Sequence, residues 1–184
     1  PGEYVAQHTA LGRVYIPGAV PEDMNEWTLA TPQGAELAAL RRRLQEEGRH
    51  DLLRYLRGGL WQNFMSKYPE VNSMHKKMLF VSAQVHRIRS RKQRSAALDA
   101  LWASQCNGPY WHGAFGGVYQ FHLREAAYER LIAAETMADA AEHGDVAWVN
   151  ALTADIDRDG YDDVLLASEA QSLLFAPALG GSLV

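Results

Sequence analysis

The residues best suited to chemistry stand together in the stretch SQCNGPYWHGAFGG, residues 104–117. Tyr110, Trp111 and His112 place aromatic faces and hydrogen-bonding tips at one point of the chain. The glycines of the same stretch allow a ligand to approach the backbone closely. This mixture indicates a ligand-facing loop that binds by ring stacking and hydrogen bonds. The alternative is a helix–helix connection in which Trp111 and Phe115 only close the end of a bundle.

Other chemistries find less support in the residue spacing. Cys106 and His112 share the loop and could form a thiol–imidazole pair, but no carboxylate stands nearby to orient the imidazole. His75 and His86 are too far apart to bind one metal from one helix face, and neither HExxH nor CxxC occurs. The spacing therefore predicts neither a thiol nucleophile nor a histidine metal site, and we expect no resident metal or cofactor in this chain.

The connector DIDRDGYDD resembles the first half of a calcium-binding loop. It places carboxylates at Asp155, Asp157, Asp159 and Asp163, with a glycine for the sharp turn. The twelfth position, where such loops need a bidentate glutamate, is Leu166. An acidic hairpin turn is the favoured interpretation, and calcium binding is the alternative.

Composition excludes several classes of function. The chain has 184 residues, 47% of them apolar, with a net charge of −4 and a pI near 6.0, which predicts a soluble globular protein without general affinity for nucleic acid. The basic run at residues 87–94 lacks interleaved aromatics and is interpreted as a solvated helix face. No apolar run is long enough to span a membrane, and the single cysteine, Cys106, fits a reducing, cytoplasmic location. Because the chain begins at Pro1, we expect a processed product or a fragment.

Long helical patterns must position the loop. Thr31 is predicted to cap a helix that continues to residue 57, with a break near Gly48, and a short aromatic helix follows around Phe64. One long helix is expected over 71–103 and another over 118–142. The predicted buried side of the last one consists of Val118, Phe121, Tyr128, Leu131, Ile132 and Thr136.

From residue 146 onward the apolar residues alternate, which predicts short strands around 150–153, 164–167 and 173–175. Before residue 31, proline and glycine interrupt every apolar run, apart from a short strand expected at 13–16 and a helical turn at Met24 and Trp27. The predicted fold class is mainly α: an antiparallel three-helix bundle with an irregular N-terminal linker and a few C-terminal β-strands.

Three blocks of the chain resemble glycoside hydrolase family 57, the 4-α-glucanotransferases and α-amylases. They are GRVYIPGAVPEDMNEW at 12–27, GGLWQNFMSKYPEVNSMHKKMLFVS at 58–82, and the loop NGPYWHGAFGG at 107–117. The likeness continues from the acidic connector through APALGGSLV at the end of the chain. The resemblance implies a linker from a missing catalytic barrel at 1–30, a helical bundle domain at 31–144 and the first strands of an incomplete C-terminal β-sandwich at 145–184.

The resemblance also implies a function. In this family both catalytic carboxylates lie on the barrel, so the chain would supply only a sugar-binding loop for an α-1,4-glucan or maltooligosaccharide and would be inactive alone. Trp111 would stack on a glucose ring, with Tyr110, His112 and Asn107 bonding sugar hydroxyls. Gly108 stands where several family members carry a substrate-binding aspartate. The competing hypothesis is a helical scaffold module whose loop binds a protein partner.

Overall fold

The computed structural model of the chain describes residues 27–112 and 116–184. They belong to two compact units, residues 1–70 and 71–184, which are treated separately below. The strand expected at 13–16 and the helical turn at Met24 lie outside the described residues, as do the predicted roles of Gly113 and Phe115.

The first unit contains three helices, α1 (Thr31–Glu46), α2 (His50–Leu53) and α3 (Trp61–Lys67). The predicted break near Gly48 is confirmed, and Gly48 has a φ of 68°. The predicted cap at Thr31 is wrong, because the helix already begins at that residue. Ala30 precedes it and makes no side-chain capping bond. Pro32 lies in the first turn, where a missing amide costs nothing.

The aromatic helix α3 has a structural role. Phe64 and Met65 are buried, and the Phe64 ring lies 4.7 Å from that of Tyr68. Lys67 donates its Nζ to the carbonyls of Trp27 and Leu29 at 3.0 and 2.5 Å. These bonds tie the end of α3 to the segment that precedes α1.

The second unit is built on α4 (Pro69–Arg87), α5 (Arg91–Ser104) and α6 (Phe121–His143). The single helix predicted over 71–103 is therefore wrong, since the chain breaks at residues 88–90. Ser90 caps α5 by accepting the Gln93 amide at 3.4 Å, and Ile88 is buried at the break. The apolar residues keep their helical spacing across this break, and neither glycine nor proline marks it. Ser90 is therefore its only signal in the sequence.

Small residues hold α5 and α6 together. Ala97 and Ala100 of α5 and Ala127, Ala134 and Ala138 of α6 are buried, and the two helices pack directly on each other. Such short side chains let helix backbones approach closely. The predicted buried side of α6 is thus partly wrong. Leu131 is fully buried, but Phe121 and Ile132 are 67% and 55% exposed.

A four-stranded antiparallel sheet closes the chain, in the order β1 (Val149–Ala154), β2 (Asp163–Ser168), β3 (Ser172–Ala176) and β4 (Ser182–Leu183). The three predicted strands are confirmed, and the short β4 pairs with β3. The mainly helical fold class with a few C-terminal strands is therefore confirmed. None of the helices in the described part of the chain combines the length and the apolar character needed to cross a bilayer.

A half-buried histidine on α4 makes stability depend on pH. Burial, with smaller contributions from Lys76 and Arg158, lowers the pKa of His75 from 6.5 to about 4. The unfolded chain therefore binds more protons than the folded one between pH 6.5 and 4. Stability contributed by the neutral imidazole is complete above pH 6.5 and is lost as the pH falls through this window.

We expect His75→Gln to flatten the loss of stability on acidification. The native chain should lose up to about 2 kcal/mol more than the variant between pH 7 and pH 4, after allowance for solvent screening of a partly exposed group. Urea denaturation of both proteins at several pH values measures the difference. Parallel curves for the two proteins would show that His75 titrates normally.

Candidate functional site

The predicted loop connects the buried end of α5 to the start of α6 through two short 3₁₀ turns, Gly108–Tyr110 and Gly117–Tyr119. The Ser104 hydroxyl donates to the Leu101 carbonyl at 2.5 Å and closes α5. At the other end, the Arg124 side chain donates to the Val118 carbonyl. Both ends of the loop are therefore fixed to rigid helices, as a binding loop requires.

Tyr110 anchors the loop from inside. Its side chain is 2% exposed and its hydroxyl donates to the Ser104 carbonyl at 3.3 Å. Burial, reinforced by Tyr128 and Cys106, holds the pKa of the Tyr110 phenol well above its ordinary value of 10. The phenol therefore stays protonated and donates, so it can brace the loop without taking up a charge.

Gly117 lets the two arms of the loop touch. The Val118 amide donates to the Trp111 carbonyl at 2.7 Å. A β-carbon at position 117 would lie 2.0 Å from that carbonyl oxygen and 2.3 Å from the carbonyl oxygen of His112. The φ of Gly117 is 47°. Only glycine fits this position, so the sequence motif has a definite geometric cause.

The loop buries its tryptophan and exposes its polar residues. Trp111 is 3% exposed, so its ring offers no open face in this chain. Asn107 is exposed and His112 is half-buried. The sequence placed all four site residues on one short loop, and the structure separates them into a buried pair, Tyr110 and Trp111, and an accessible pair, Asn107 and His112.

One aromatic residue of the site was missed in the sequence. Tyr119 is 59% exposed and its ring stacks on that of His112, with centroids 5.5 Å apart and planes within 17°. An aromatic residue just after the glycines was the available signal. The pair forms an accessible surface that combines a ring face with hydrogen-bonding tips.

The acidic connector folds as a tight turn. Oxygen atoms of Asp155, Asp157 and Asp159 all lie within 4.8 Å of one another. Asp163, buried at the start of β2, accepts the amides of residues 156 and 157 at 3.1 and 3.3 Å. Asp155 and Asp157 likewise accept the Asp159 amide, each at 3.0 Å. Backbone amides thus account for the carboxylates as turn residues, which is the favoured interpretation, and calcium binding stays the alternative.

Comparison with known proteins defines the class of this chain. Residues 59–138 match the family model described as the middle domain of α-amylase/4-α-glucanotransferase. That range includes α3 to α5, the site loop and most of α6. Residues 59–138 thus carry the pattern of this middle-domain family, and the family resemblance found in the sequence is confirmed.

Individual relatives agree over nearly the whole chain. It is 38% identical over 182 residues to a 4-α-glucanotransferase of Thermococcus kodakarensis and 38% identical over 183 residues to an α-amylase of Pyrococcus furiosus. These alignments cover 98% and 99% of this chain but 26% of each relative. The crystal structure of the 4-α-glucanotransferase from Thermococcus litoralis superposes with a TM-score of 0.71 at 35% identity, covering 98% of this chain and 27% of that one. The chain therefore spans about a quarter of the length of the relatives it matches.

Proposed function

We propose that the chain is the helical middle part of an α-glucan-active enzyme of the 4-α-glucanotransferase or α-amylase type. The family match over residues 59–138, which contains the site loop, carries this proposal. The substrate would be an α-1,4-glucan or maltooligosaccharide, as the names of the relatives suggest. Residues 1–30 would lead from the catalytic domain, 31–144 would form the helical domain, and 145–184 would begin a β domain.

The loop would bind sugar rather than cleave it. Retaining glycoside hydrolysis needs two carboxyl groups about 5 Å apart. Residues 104–120 contain no aspartate or glutamate, and Gly108 adds no polar group. The nucleophile and the acid/base would therefore come from outside the loop, and the family resemblance implies that they lie on the barrel, so this chain alone would be inactive.

The solvent exposure of each loop residue suggests its role in sugar binding. Asn107 and His112 would exchange hydrogen bonds with sugar hydroxyls, because their polar atoms are the accessible ones. Tyr119 would offer its exposed ring to the apolar C–H face of a glucose unit. Trp111 and Tyr110 would form the inner wall that holds His112 in place, so stacking of Trp111 itself on sugar would require the loop to open.

We expect His112→Ala to lower kcat/KM for maltooligosaccharide by about tenfold, the cost of losing one or two hydrogen bonds to a neutral ligand. The measurement uses the Thermococcus litoralis enzyme with this chain in place of its matching segment, so that a catalytic domain is present. The melting temperature should remain unchanged, since His112 is only half-buried.

The matched control is His122→Ala, which removes an exposed histidine from α6. It should leave kcat/KM unchanged. Equal activity of the two variants would remove His112 from the glucan site and favour the alternative in which the loop binds a protein partner.

A further inference from the structure

A cavity whose described lining includes no residue of the 104–120 loop lies in the second unit. It is a cavity of about 490 Å³ between α4, α6 and the sheet. This volume lies in the range of small-molecule pockets, which combine apolar and aromatic walls with a few polar groups. Phe80, Tyr128 and Trp148 contribute aromatic rings to its lining.

The cavity is strongly acidic. Its described lining carries the carboxylates of Glu135, Asp139, Asp157 and Glu169 against one cation, Lys77. Lys77 already forms an ion pair, because its Nζ lies 2.6 Å from Glu135 Oε1 in a pair shielded from solvent. The remaining charge in the cavity is negative, which favours a cationic occupant.

Asp139, like Asp157 and Glu169 of the same lining, forms no ion pair with a described residue. It is half-buried, and the described part of the chain gives it no hydrogen bond or ion pair. Burial, and then the charge of Glu135, raise the pKa of Asp139 above its ordinary value, and the nearby His143 and Lys77 offset this rise only in part. A cation placed beside it would relieve both effects.

The tryptophan of the cavity is held in place. The Trp148 ring stacks on His143 with centroids 4.2 Å apart and planes within 18°. A fixed indole and a tyrosine near an unpaired carboxylate are the groups that proteins use to bind guanidinium and ammonium ions.

We propose that this cavity binds a small organic cation that carries a guanidinium or ammonium group, with Asp139 as its counter-ion and Trp148 and Tyr128 as its aromatic wall. The site goes beyond the proposed glucan function and does not depend on it. It would recognise a charge, whereas the loop at 104–120 would recognise neutral hydroxyls.

The test compares ligands that differ in charge but not in shape. N-acetyl-arginine amide and the uncharged N-acetyl-citrulline amide are titrated into the full chain by calorimetry at low salt. The arginine derivative should bind at least about tenfold more tightly, the scale of a partly desolvated cation–carboxylate and cation–π contact. Equal affinity of the two ligands, tighter binding of maltotriose, or no binding of the arginine derivative would each overturn the proposal.

A pair of variants tests whether Asp139 is the residue that recognises the positive charge of the ligand. Asp139→Asn should weaken binding of the arginine derivative by about tenfold, the cost of losing a charged hydrogen bond. Asp145→Asn, which removes an exposed carboxylate outside the cavity lining, should leave the affinity unchanged. Unchanged affinity in the Asp139 variant would contradict the assignment. Because the citrulline comparison uses the native chain, it decides the proposal even if a variant folds poorly.

Discussion

Replacing Gly117 by alanine should destabilise the second unit by about 3 kcal/mol or more, through overpacking against atoms that cannot move aside. The new β-carbon would lie 2.0 Å from the Trp111 carbonyl oxygen, which is backbone. Relief of this clash would break the bond from the Val118 amide to the same oxygen. Urea denaturation followed by circular dichroism measures the loss.

Gly180→Ala is the matched control. Gly180 also has a positive φ, 74°, but a β-carbon added there would meet no atom within 4 Å. Its replacement should cost only about 1 kcal/mol, the penalty of a left-handed backbone for a non-glycine residue. Equal losses for the two variants would mean that backbone conformation alone, and not the close approach at Trp111, requires Gly117.

The second large effect concerns the ion pair between α4 and α6. Glu135 is 4% exposed and its carboxylate lies 2.6 Å from Lys77 Nζ. Lys77→Met would leave the buried carboxylate without its cation, so we expect a loss of about 3 kcal/mol in the free energy of unfolding. Chemical denaturation at pH 7 measures it.

The double variant Lys77→Met/Glu135→Leu separates charge from packing. Because it removes both charges and keeps apolar volume, its stability should return to within about 1 kcal/mol of the native chain. As a surface control, Asp51→Asn breaks the exposed pair with Arg49 and should produce no resolvable change. Additive losses from the two single substitutions would show that Lys77 and Glu135 do not interact.

Much of the fold could be predicted from local patterns. Short apolar runs between turn residues mark the strands, and the glycine at position 48 marks a helix break. The break at residues 88–90 could not be predicted, because Val85 and Ile88 continue the helical period right up to it and only the Ser90 cap interrupts the chain. The buried side of α6 could not be predicted either, because alanines, and not the larger Phe121 and Ile132, face α5.

The candidate site could be located from the sequence, but its exposed side could not. Residue types and glycine spacing identified the loop that contains Trp111 and His112. Which ring faces solvent depends on contacts between the two arms, above all the approach of Gly117 to the Trp111 carbonyl. Tyr119, the exposed partner of His112, follows the glycines closely, but only the structure shows that its ring stacks on that of His112.

The most direct test is a crystal structure of the Thermococcus litoralis enzyme that carries this chain in place of its matching segment, with a maltooligosaccharide bound. We predict atoms of His112 or Tyr119 within about 4 Å of a glucose unit, the range of direct contact. A sugar bound in the catalytic domain with every residue of 104–120 far from it would contradict a role of this chain in glucan binding.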